Sequence, residues 1–541
     1  MISDERRPTA RRTSSRPSPR RTSLRRTSLH RAGLRGLAAM VTGAVLLAGC
    51  TAPAKEQSPV GSASGPAASQ APDGFEKYYG QALEWEDCED GLQCATASAP
   101  MSWQDADAGS IELSLVRNAA EGKDPEGSLL VNPGGPGASG VDFVRSDAQS
   151  EGSVFGKRLQ DAFDIVGFDP RGVQRSTPVT CFDNARKGES LAKDFDRSTD
   201  AGLQAMQKEY EAWNAACAEN SGEVLGHVDT QSAARDMDML RAVLGDEALN
   251  YLGFSYGTQL GATYAGLFPD RAGRLVLDGA IDTSLSSEEI SHGQAVGFEN
   301  ALRAYVKDCQ AGASCPLSGS VDDGMQQIRQ VLDHAYERPY ETSSSGRTVT
   351  QSLAFYGIAV TLYNQGSWPA LTQGLDEAIN QGTGNALLYL SDQYFDRNAD
   401  GSYSSNSEEA MRAVSCLDDR ATTDVEQMRA DAAAIEKDAP TMGSFFGYGG
   451  LTCAGEKYPQ VEQEFDLHAK GAPPIVVVGT TNDPATPYVW AEGLASTLDS
   501  GVLLTYQGEG HTAYQPSRTC VADAVESYLV DGDVPADGAT C

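Results

Sequence analysis

Six short apolar runs along the chain have the pattern of strands that are buried on both faces. They contain mainly Val, Ile, Leu and Phe, with few polar residues between them. They lie at residues 129–131, 163–168, 249–252, 274–277, 474–479 and 502–506. Continuous runs of this kind are typical of parallel strands that are covered by helices on both sides. The pattern therefore predicts an α/β fold built on one mostly parallel sheet.

A long segment between the fourth and fifth predicted strands shows helical spacing and no clear buried strand. Its helical patterns lie near residues 288–309, 321–337, 350–364, 368–381, 405–416 and 424–437. The simplest interpretation is a mostly helical cap at 285–465, inserted into a core formed by residues 74–284 and 466–541. A cap of this kind excludes water and shapes a substrate pocket.

The amino terminus has the pattern of a bacterial lipoprotein signal peptide. Eleven arginines and two acids fall in the first 36 residues, and an uncharged stretch then leads to Leu47-Ala-Gly-Cys50. The uncharged stretch is too short to span a bilayer permanently. We therefore predict a signal peptide at 1–49, a lipid anchor on Cys50, and a flexible tether at 50–73 that is rich in Ala, Ser, Pro and Gly. The folded part would lie at the extracellular face of the membrane.

Charge argues against nucleic acid as a partner. The whole chain has a formal net charge of −33. Without the basic amino terminus, 31 basic and 73 acidic residues remain, a net charge of about −42. Such a surface repels nucleic acids and keeps an exported protein soluble.

Ten cysteines remain besides Cys50, and an even number outside the cell indicates disulfides. The sequence contains no Cys-x-x-Cys and no His-Glu-x-x-His, so we expect neither a metal nor another cofactor. Sequence alone leaves the connectivity open. Pairing of neighbours closes five loops that do not cross, namely Cys88 with Cys94, Cys181 with Cys217, Cys309 with Cys315, Cys416 with Cys453, and Cys520 with Cys541.

The third predicted strand ends in Gly253-x-Ser255-x-Gly257, and helical spacing follows it. This is the pattern of a nucleophile elbow, in which a strained turn between strand and helix exposes a serine hydroxyl. Side chains at the two glycines would collide with neighbouring backbone. The setting, more than the five-residue motif, predicts that Ser255 is a nucleophile.

Two further residues complete the predicted machinery. His511 follows a strand in the flexible turn Gly508-Glu-Gly510, whereas the other histidines lack a comparable position. Asp483 ends the preceding strand, at the edge where open α/β sheets carry their chemistry. The resulting order of serine, aspartate and histidine is that of the α/β-hydrolases.

An oxyanion hole is expected from the glycine-rich loop that follows the first predicted strand. That loop reads Asn132-Pro-Gly-Gly-Pro-Gly137, and we predict the backbone amides of Gly135 and Tyr256 as the donors, with Gly134 as the alternative. A phosphate-binding loop is excluded because no Gly-Lys-Ser/Thr follows.

Several segments together resemble the secreted tripeptidyl aminopeptidases of actinobacteria, which belong to the prolyl-aminopeptidase-like α/β-hydrolases. The matching segments are Asn132-Pro-Gly-Gly-Pro-Gly137, Gly167-Phe-Asp-Pro-Arg-Gly172, Gly253-Phe-Ser-Tyr-Gly-Thr258, Leu277-Asp-Gly279, Ala413-Val-Ser-Cys-Leu-Asp418 and Gly510-His511 with Cys520 and Cys541. The resemblance implies a serine exopeptidase that releases short peptides, typically tripeptides, from peptide or protein substrates with free amino termini. It also implies that Ser255, Asp483 and His511 are the catalytic triad.

An aminopeptidase also needs an anion that faces the α-ammonium group of the substrate. Glu288 and Glu289, where the cap leaves the sheet, are the first candidates, and Asp418 is the next. Acids that merely stabilise a helix amino terminus are the alternative interpretation. A carboxylester hydrolase or lipase with the same triad, an endopeptidase relative, and a non-enzymatic lipoprotein also remain open.

Overall fold

The computed structural model describes residues 66–541, apart from residues 124, 151–153 and 345. The predicted signal peptide, the lipid site at Cys50 and residues 51–65 of the predicted tether lie outside the described residues. Within the described part, no helix has both the length and the apolar content to cross a bilayer.

A ten-stranded sheet forms the centre of the fold, with strand order β1-β2-β3-β5-β4-β6-β7-β10-β11-β12. Six of its strands are the predicted ones, β4, β5, β6, β7, β10 and β11, and they pair in parallel. The strand bounds are β1 (Glu86–Asp87), β2 (Gln93–Pro100), β3 (Ser110–Asn118), β4 (Ser128–Asn132), β5 (Asp164–Phe168), β6 (Leu249–Phe254), β7 (Ala272–Asp278), β8 (Tyr340–Glu341), β9 (Thr348–Val349), β10 (Ile475–Asn482), β11 (Gly501–Glu509) and β12 (Ala539–Thr540). The predicted parallel α/β sheet is confirmed.

Apolar side chains cover both faces of this sheet. Along β4, Leu130 belongs to one apolar cluster, and its neighbours Leu129 and Val131 belong to the cluster on the other face. All five residues of β4 are buried. This double burial explains why the strands appear as continuous apolar runs rather than as alternating ones.

In the part of the chain that the structure describes, sixteen α-helices surround the sheet. Their bounds are α1 (Glu76–Tyr79), α2 (Gly140–Gln149), α3 (Lys157–Ala162), α4 (Asn184–Leu191), α5 (Asp200–Asn220), α6 (Thr230–Leu244), α7 (Tyr256–Leu267), α8 (Ser287–Ala311), α9 (Val321–Glu337), α10 (Gln351–Leu362), α11 (Trp368–Asp376), α12 (Asn385–Tyr394), α13 (Ser407–Asp418), α14 (Val425–Asp438), α15 (Tyr488–Thr497) and α16 (Thr519–Asp531). Shorter helical turns include Gly449–Cys453 and the π-helical Glu377–Gln381.

The segment between β7 and β10 consists of helices α8 to α14 and the small hairpin of β8 and β9. Each predicted helical pattern in it corresponds to an observed helix, and α12 was not predicted. Whether this segment is a separate domain with bounds 285–465 stays a prediction.

A second segment of the chain packs against these helices. The side-chain amide of Asn214 in α5 donates to the carbonyl oxygens of Thr452 and Ala454, each at 2.9 Å. Lys187 in α4 forms a buried ion pair with Glu409 in α13, with 2.6 Å between Nζ and Oε2. The helical layer therefore includes α4 and α5, which the sequence pattern did not indicate.

All ten described cysteines form disulfides in the five pairs that join neighbours along the sequence. The two cysteines of each pair are separated by between 6 and 37 positions along the sequence. Their number fits an exported protein, because disulfides persist in oxidising compartments.

Parallel pairing brings the predicted functional segments to one edge of the sheet. Asn132 at the end of β4 is in register with Gly253, and Phe254 at the end of β6 is in register with Asp278. Asp278 in turn is in register with Val478 of β10. The carboxyl ends of four neighbouring strands thus meet where open α/β sheets bind their ligands.

Candidate active site

Ser255 lies in a strained turn between β6 and α7. Its backbone angles are φ 55° and ψ −124°, a region that residues with a side chain rarely adopt. Its amide donates to the carbonyl oxygen of Asp278 at 2.9 Å, which fixes the turn to the neighbouring strand. A Cβ on Gly253 would lie 2.4 Å from the carbonyl oxygen of Gly257. The glycines are therefore required by the close approach of backbone, as a nucleophile elbow demands.

His511 and Asp483 form a buried pair at the same edge. The Nδ1 atom of His511 lies 2.9 and 3.0 Å from the two carboxylate oxygens of Asp483, whose side chain is fully buried. Backbone amides of Ala485, Thr486 and Thr512 also donate to this carboxylate. These hydrogen bonds hold the carboxylate of Asp483 in the position that fixes the orientation of the imidazole ring.

The imidazole of His511 lies at the carboxyl end of β7, beside the elbow. Its Cε1 atom is 3.3 Å from the position that a Cβ on Gly279 would take, and Gly279 follows the residue that holds the Ser255 amide. Among the described residues, no hydrogen bond joins the hydroxyl of Ser255 to His511. Catalytic hydrogen bonds of this kind often form only with substrate bound. The structure thus brings the three predicted residues to one edge, while their roles as a triad stay a prediction.

A second buried carboxylate supports the histidine loop. Asp278 accepts hydrogen bonds from the amides of Ala513 and Tyr514, at distances between 2.6 and 3.0 Å. Burial raises the pKa of Asp278 to about 6, against the opposing effect of these hydrogen bonds. The sequence predicts no role for the carboxylate of Asp278. Its position at the end of a predicted parallel strand is the signal that could have indicated one.

The glycine-rich loop after β4 packs directly on the elbow. A Cβ on Gly134 would lie 2.8 Å from the Cβ of Ser255 and 3.2 Å from the amide nitrogen of Tyr256. The amide of Gly134 itself donates to Asn132 Oδ1 at 2.9 Å. Within the described part of the chain, the amides of Gly135 and Tyr256 have no acceptor. The geometry therefore supports Gly135 and Tyr256 as oxyanion donors and not the alternative Gly134.

The three candidate acids for the substrate ammonium have different surroundings. Glu289 completes a capping box at the start of α8, where its carboxylate accepts from the amide of Ser286 at 2.9 Å. Glu289 therefore has the structural role that was the alternative interpretation. Glu288 lines a small cavity and accepts from the amide of Thr422 at 2.6 Å, a hydrogen bond that lowers its pKa.

Asp418 at the end of α13 is linked to the residue after the nucleophile. Its carboxylate accepts from the amide and the hydroxyl of Thr230, at 2.8 and 2.5 Å, and that hydroxyl lies 2.6 Å from the phenol oxygen of Tyr256. Burial raises the pKa of Asp418 to about 7. The arrangement makes Asp418 a support of the elbow helix.

Two adjoining cavities lie among the helices above the sheet. The larger has an empty volume of about 1070 Å³ including its open mouth, and the smaller one has about 310 Å³. Both are lined by Ser291, Phe446, Tyr448 and Gly449. The smaller cavity is also lined by the acids Glu288 and Asp431, and no basic side chain is among the described residues of its wall.

Two contacts connect the larger cavity with the predicted catalytic residues. Met411 of α13 lines the cavity, and its amide nitrogen lies 3.2 Å from the position of a Cβ on Gly137 in the glycine-rich loop. On the other side, the ring of Tyr363 lies 5.3 Å from the His511 ring and contacts Phe298, which contacts Phe446 in the cavity wall. These contacts place the larger cavity next to the glycine-rich loop and next to the aromatic side chains that pack on His511.

A metal centre has no support in the described residues. No group of three or more histidines, cysteines and acids is placed there to hold a metal ion. The stretch from Asp396 to Gly401 has the residue spacing with which a calcium-binding loop begins. In the structure it forms a loop closed by its own hydrogen bonds, such as that from the amide of Ser402 to Asp400.

Comparisons with known proteins show what this chain is similar to. A family model described as "TAP-like protein" matches residues 439–541. The chain is 36% identical to serine protease Hip1 of Mycobacterium tuberculosis, over 85% of this chain and 91% of that protein. It is 34% identical to carboxylesterase B of the same species, over 83% and 86% of the two chains. It is 30% identical to the tripeptidyl aminopeptidase of Streptomyces coelicolor, over 85% and 86%. Among solved structures, proline iminopeptidase of Mycobacterium smegmatis matches with 15% identity and a TM-score of 0.33, over 81% of this chain and 100% of that one.

Proposed function

Because this chain belongs to the tripeptidyl-aminopeptidase-like serine peptidases of the α/β-hydrolase fold, we propose that it is a lipid-anchored exopeptidase that releases tripeptides from free amino termini. Its membership of the family makes it a serine hydrolase. The buried Asp483 and His511 pair beside the elbow at Ser255 is the single observation that carries the hydrolase chemistry.

In the proposed reaction, the hydroxyl of Ser255 attacks the scissile carbonyl carbon and its proton passes to Nε2 of His511. Asp483 stabilises the imidazolium through Nδ1, and the amides of Gly135 and Tyr256 donate to the negative oxygen of the tetrahedral intermediate. His511 then gives the proton to the leaving amine, and the C–N bond breaks. Water hydrolyses the remaining ester of Ser255 in the reverse sequence of proton transfers.

The cavities support the exopeptidase part of the proposal. Met411 in the wall of the larger cavity packs on Gly137 of the glycine-rich loop, and this cavity adjoins the smaller one, whose wall carries Glu288 and Asp431. An α-ammonium group bound there would gain a charge-assisted hydrogen bond, which a blocked amino terminus cannot form. The distance between this acidic cavity and Ser255 would then set the number of residues that are released.

Product analysis of one unblocked peptide tests the proposal. The wild-type protein and the Ser255→Ala variant are incubated with a peptide of about ten residues, and with its acetylated form, and the products are weighed by mass spectrometry. We expect successive losses of three residues from the free peptide, slow cleavage of the acetylated one, and no products with Ser255→Ala. Internal cuts in both peptides would instead identify an endopeptidase.

A carboxylester hydrolase is the second candidate, because a relative at 34% identity is named carboxylesterase B. The aromatic side chains of the larger cavity would suit an apolar acyl group equally well. A series of nitrophenyl esters with acyl chains of increasing length separates the candidates. An esterase shows a kcat/KM that depends strongly on acyl length and no release of tripeptides.

A further inference from the structure

Among the described residues, one cation in the wall of the larger cavity has no hydrogen-bond acceptor and no ion-pair partner. Arg197 lines this cavity, and its Nε atom is buried without a hydrogen-bond acceptor. Within residues 66–541 as described, none of its guanidinium nitrogens takes part in an ion pair or a hydrogen bond. Its contact is with an aromatic side chain, since the guanidinium carbon lies 5.5 Å from the centre of the Phe445 ring.

The other charged side chains of the wall are already neutralised. Glu209 accepts from Lys193 at 2.7 Å, from Ser190 at 2.6 Å, and from Arg186. Glu408 forms an ion pair with Arg412, with 2.7 Å between the charged atoms. No free acid is therefore left among the described wall residues to compensate Arg197.

Asp194, a carboxylate whose charge acts on Arg197, already accepts other hydrogen bonds. The charges of Asp194 and Arg197 influence each other, but the two carboxylate oxygens of Asp194 accept from the amides of Gln351 and Ser352, at 3.0 and 2.8 Å. Leaving a buried guanidinium nitrogen without an acceptor costs free energy. A chain with a net charge of −33 has many acids that could have compensated it. An unsatisfied nitrogen that also lines a cavity is placed to meet its acceptor in a ligand.

We propose that Arg197 binds the carboxylate of an acidic side chain, Asp or Glu, in the peptide that is released. This inference rests on the proposed function and names the substrate class for the same site. Guanidinium groups bind carboxylates through two parallel hydrogen bonds, and the aromatic wall excludes water from such a pair. Elsewhere the negative charge of the protein repels an acidic peptide, so that a fixed cation is needed to accept one.

The position of the cavity indicates which part of the substrate Arg197 meets. The larger cavity lies between two features. On one side Met411 of α13 contacts the glycine-rich loop, and on the other side is the smaller cavity, which is lined by Glu288. A substrate with its ammonium group at Glu288 and its scissile carbonyl at the loop places its released residues along this wall. The acidic residue is therefore one of those on the amino-terminal side of the cut.

Pairs of peptides that differ only in Glu or Gln test the proposal by kinetics. Glu and Gln are exchanged at each of the first three positions of an unblocked peptide, and kcat/KM is measured for each pair. For the wild type we expect kcat/KM to be roughly ten- to a hundredfold higher for Glu at one position, the range of a charge-assisted hydrogen bond. Arg197→Gln should abolish this preference, because its loss of kcat/KM should be confined mainly to the Glu peptides.

Two more variants sharpen the comparison. Arg197→Lys keeps the charge but loses the planar fork, and it should retain only part of the preference for Glu. Arg303→Gln removes a positive charge from an exposed ion pair with Asp322 on the outer helices, and it should keep the full preference. If Arg197→Gln lowers kcat/KM equally for Glu and Gln peptides, Arg197 holds the substrate backbone or the fold, and the proposal is wrong.

A binding measurement separates this inference from the proposed function. Tripeptide amides with Glu or Gln at the preferred position are titrated into Ser255→Ala by calorimetry, where no cleavage is needed. Tighter binding of the Glu amide, lost in Ser255→Ala/Arg197→Gln, supports acid recognition even if tripeptides are not the natural products. Equal affinities of the two amides overturn it, even if unblocked peptides are cleaved in steps of three.

Discussion

At the scale of single residues, two opposing effects act on His511. Burial favours the neutral imidazole and lowers its pKa, whereas the charge and hydrogen bond of Asp483, with the charge of Asp278, favour the protonated form. The carboxylates prevail, and the pKa of His511 lies above its ordinary value. The imidazole is thus a stronger base than a free histidine, and it must be neutral to accept the serine proton.

This shift predicts the pH dependence of the reaction. Because only the neutral imidazole accepts a proton, kcat/KM should rise with pH through an apparent pKa above 6.5, the ordinary value for histidine. Asp483→Asn removes the main stabilising charge, so the midpoint should move to lower pH and kcat should fall on the order of 10⁴-fold. Asp322→Asn, at an exposed position, is the control and should change neither quantity. A midpoint that is the same in Asp483→Asn as in the wild type would contradict this account of the pair.

Asp418 predicts a pH dependence of stability. Its pKa is raised by burial to about 7 in the folded state, whereas an unfolded Asp titrates near 3.8. The folded protein therefore binds a proton more tightly, and the contribution of Asp418 to stability falls as the pH rises from about 4 to about 7. Asp418→Asn mimics the protonated acid and lacks this loss.

Thermal unfolding checks this sign. The melting temperature of Asp418→Asn relative to the wild type should increase between pH 4 and pH 7 and stay constant above that. Asp322→Asn, at an exposed position on α9, provides the control. If the melting temperatures of Asp418→Asn and the wild type change in parallel with pH, Asp418 is already ionised in the folded protein at low pH, and this prediction is wrong.

The sequence predicted those site residues whose roles depend on local pattern. Ser255 lies between two glycines at the end of an apolar run, and Asp483 and His511 each follow one as well. The functions of Asp278 and Arg197 depend on partners or cavities formed by distant segments. Asp278 accepts from amides 235 and 236 residues further along the chain, a relation that no local spacing reveals.

At the scale of elements, α13 joins the sheet edge to the helical layer. Its first turn contacts Gly137 of the glycine-rich loop, and Asp418 at its end holds Thr230. The Cys416–Cys453 disulfide ties the same helix to the turn Gly449–Cys453, which lines both cavities. The helix should therefore affect stability and substrate binding together.

Removal of this disulfide tests the role of α13. The bond closes a loop with a sequence separation of 37, so the double variant Cys416→Ser/Cys453→Ser should lose about 4 kcal/mol of unfolding free energy. We also expect a higher KM, because the turn that lines both cavities loses its covalent link to α13. Cys88→Ser/Cys94→Ser, in which the separation is 6 and the cysteines lie just after β1 and on β2, should lose about 2 kcal/mol and keep the KM of the wild type. A KM that changes equally in both variants would mean that α13 has no special link to the site.

Elements were predicted well where burial is complete and poorly where it is partial. β10 is buried at six consecutive positions and appears in the sequence as an apolar run. β2 and β3 alternate between buried and exposed residues, and β2 consists mostly of Ala, Ser and Thr, which give little contrast. α5 lies in the helical layer because other elements pack around its fully buried Trp213. The sequence of α5 alone does not show this packing.

At the scale of the whole molecule, the sheet carries the predicted nucleophile, base and acid on one edge, and two separate segments of chain build the layer above it. The described part, residues 66–541, contains all of these residues and both cavities. Catalysis should therefore be independent of the segment that precedes it. This separation makes the predicted lipid anchor testable without loss of activity.

The charge of the protein gives the anchor a clear physical role. Without its basic amino terminus the chain has a net charge of about −42, and a body of that charge is repelled by anionic lipid surfaces. Electrostatic attraction would not hold it at a membrane, whereas the predicted lipid chains would, since they contribute about 0.8 kcal/mol for each buried CH₂ group. When the chain is expressed in a bacterium that processes lipoproteins, the wild type should enter the detergent phase on phase separation, and Cys50→Ser should appear in the aqueous phase.

The kcat/KM of the two forms should agree within about twofold, since the described body holds the site. Thr51→Ser, which keeps the cysteine, should behave as the wild type. If Cys50→Ser stays in the detergent phase, some surface of the folded body binds the membrane and the lipid is not the anchor.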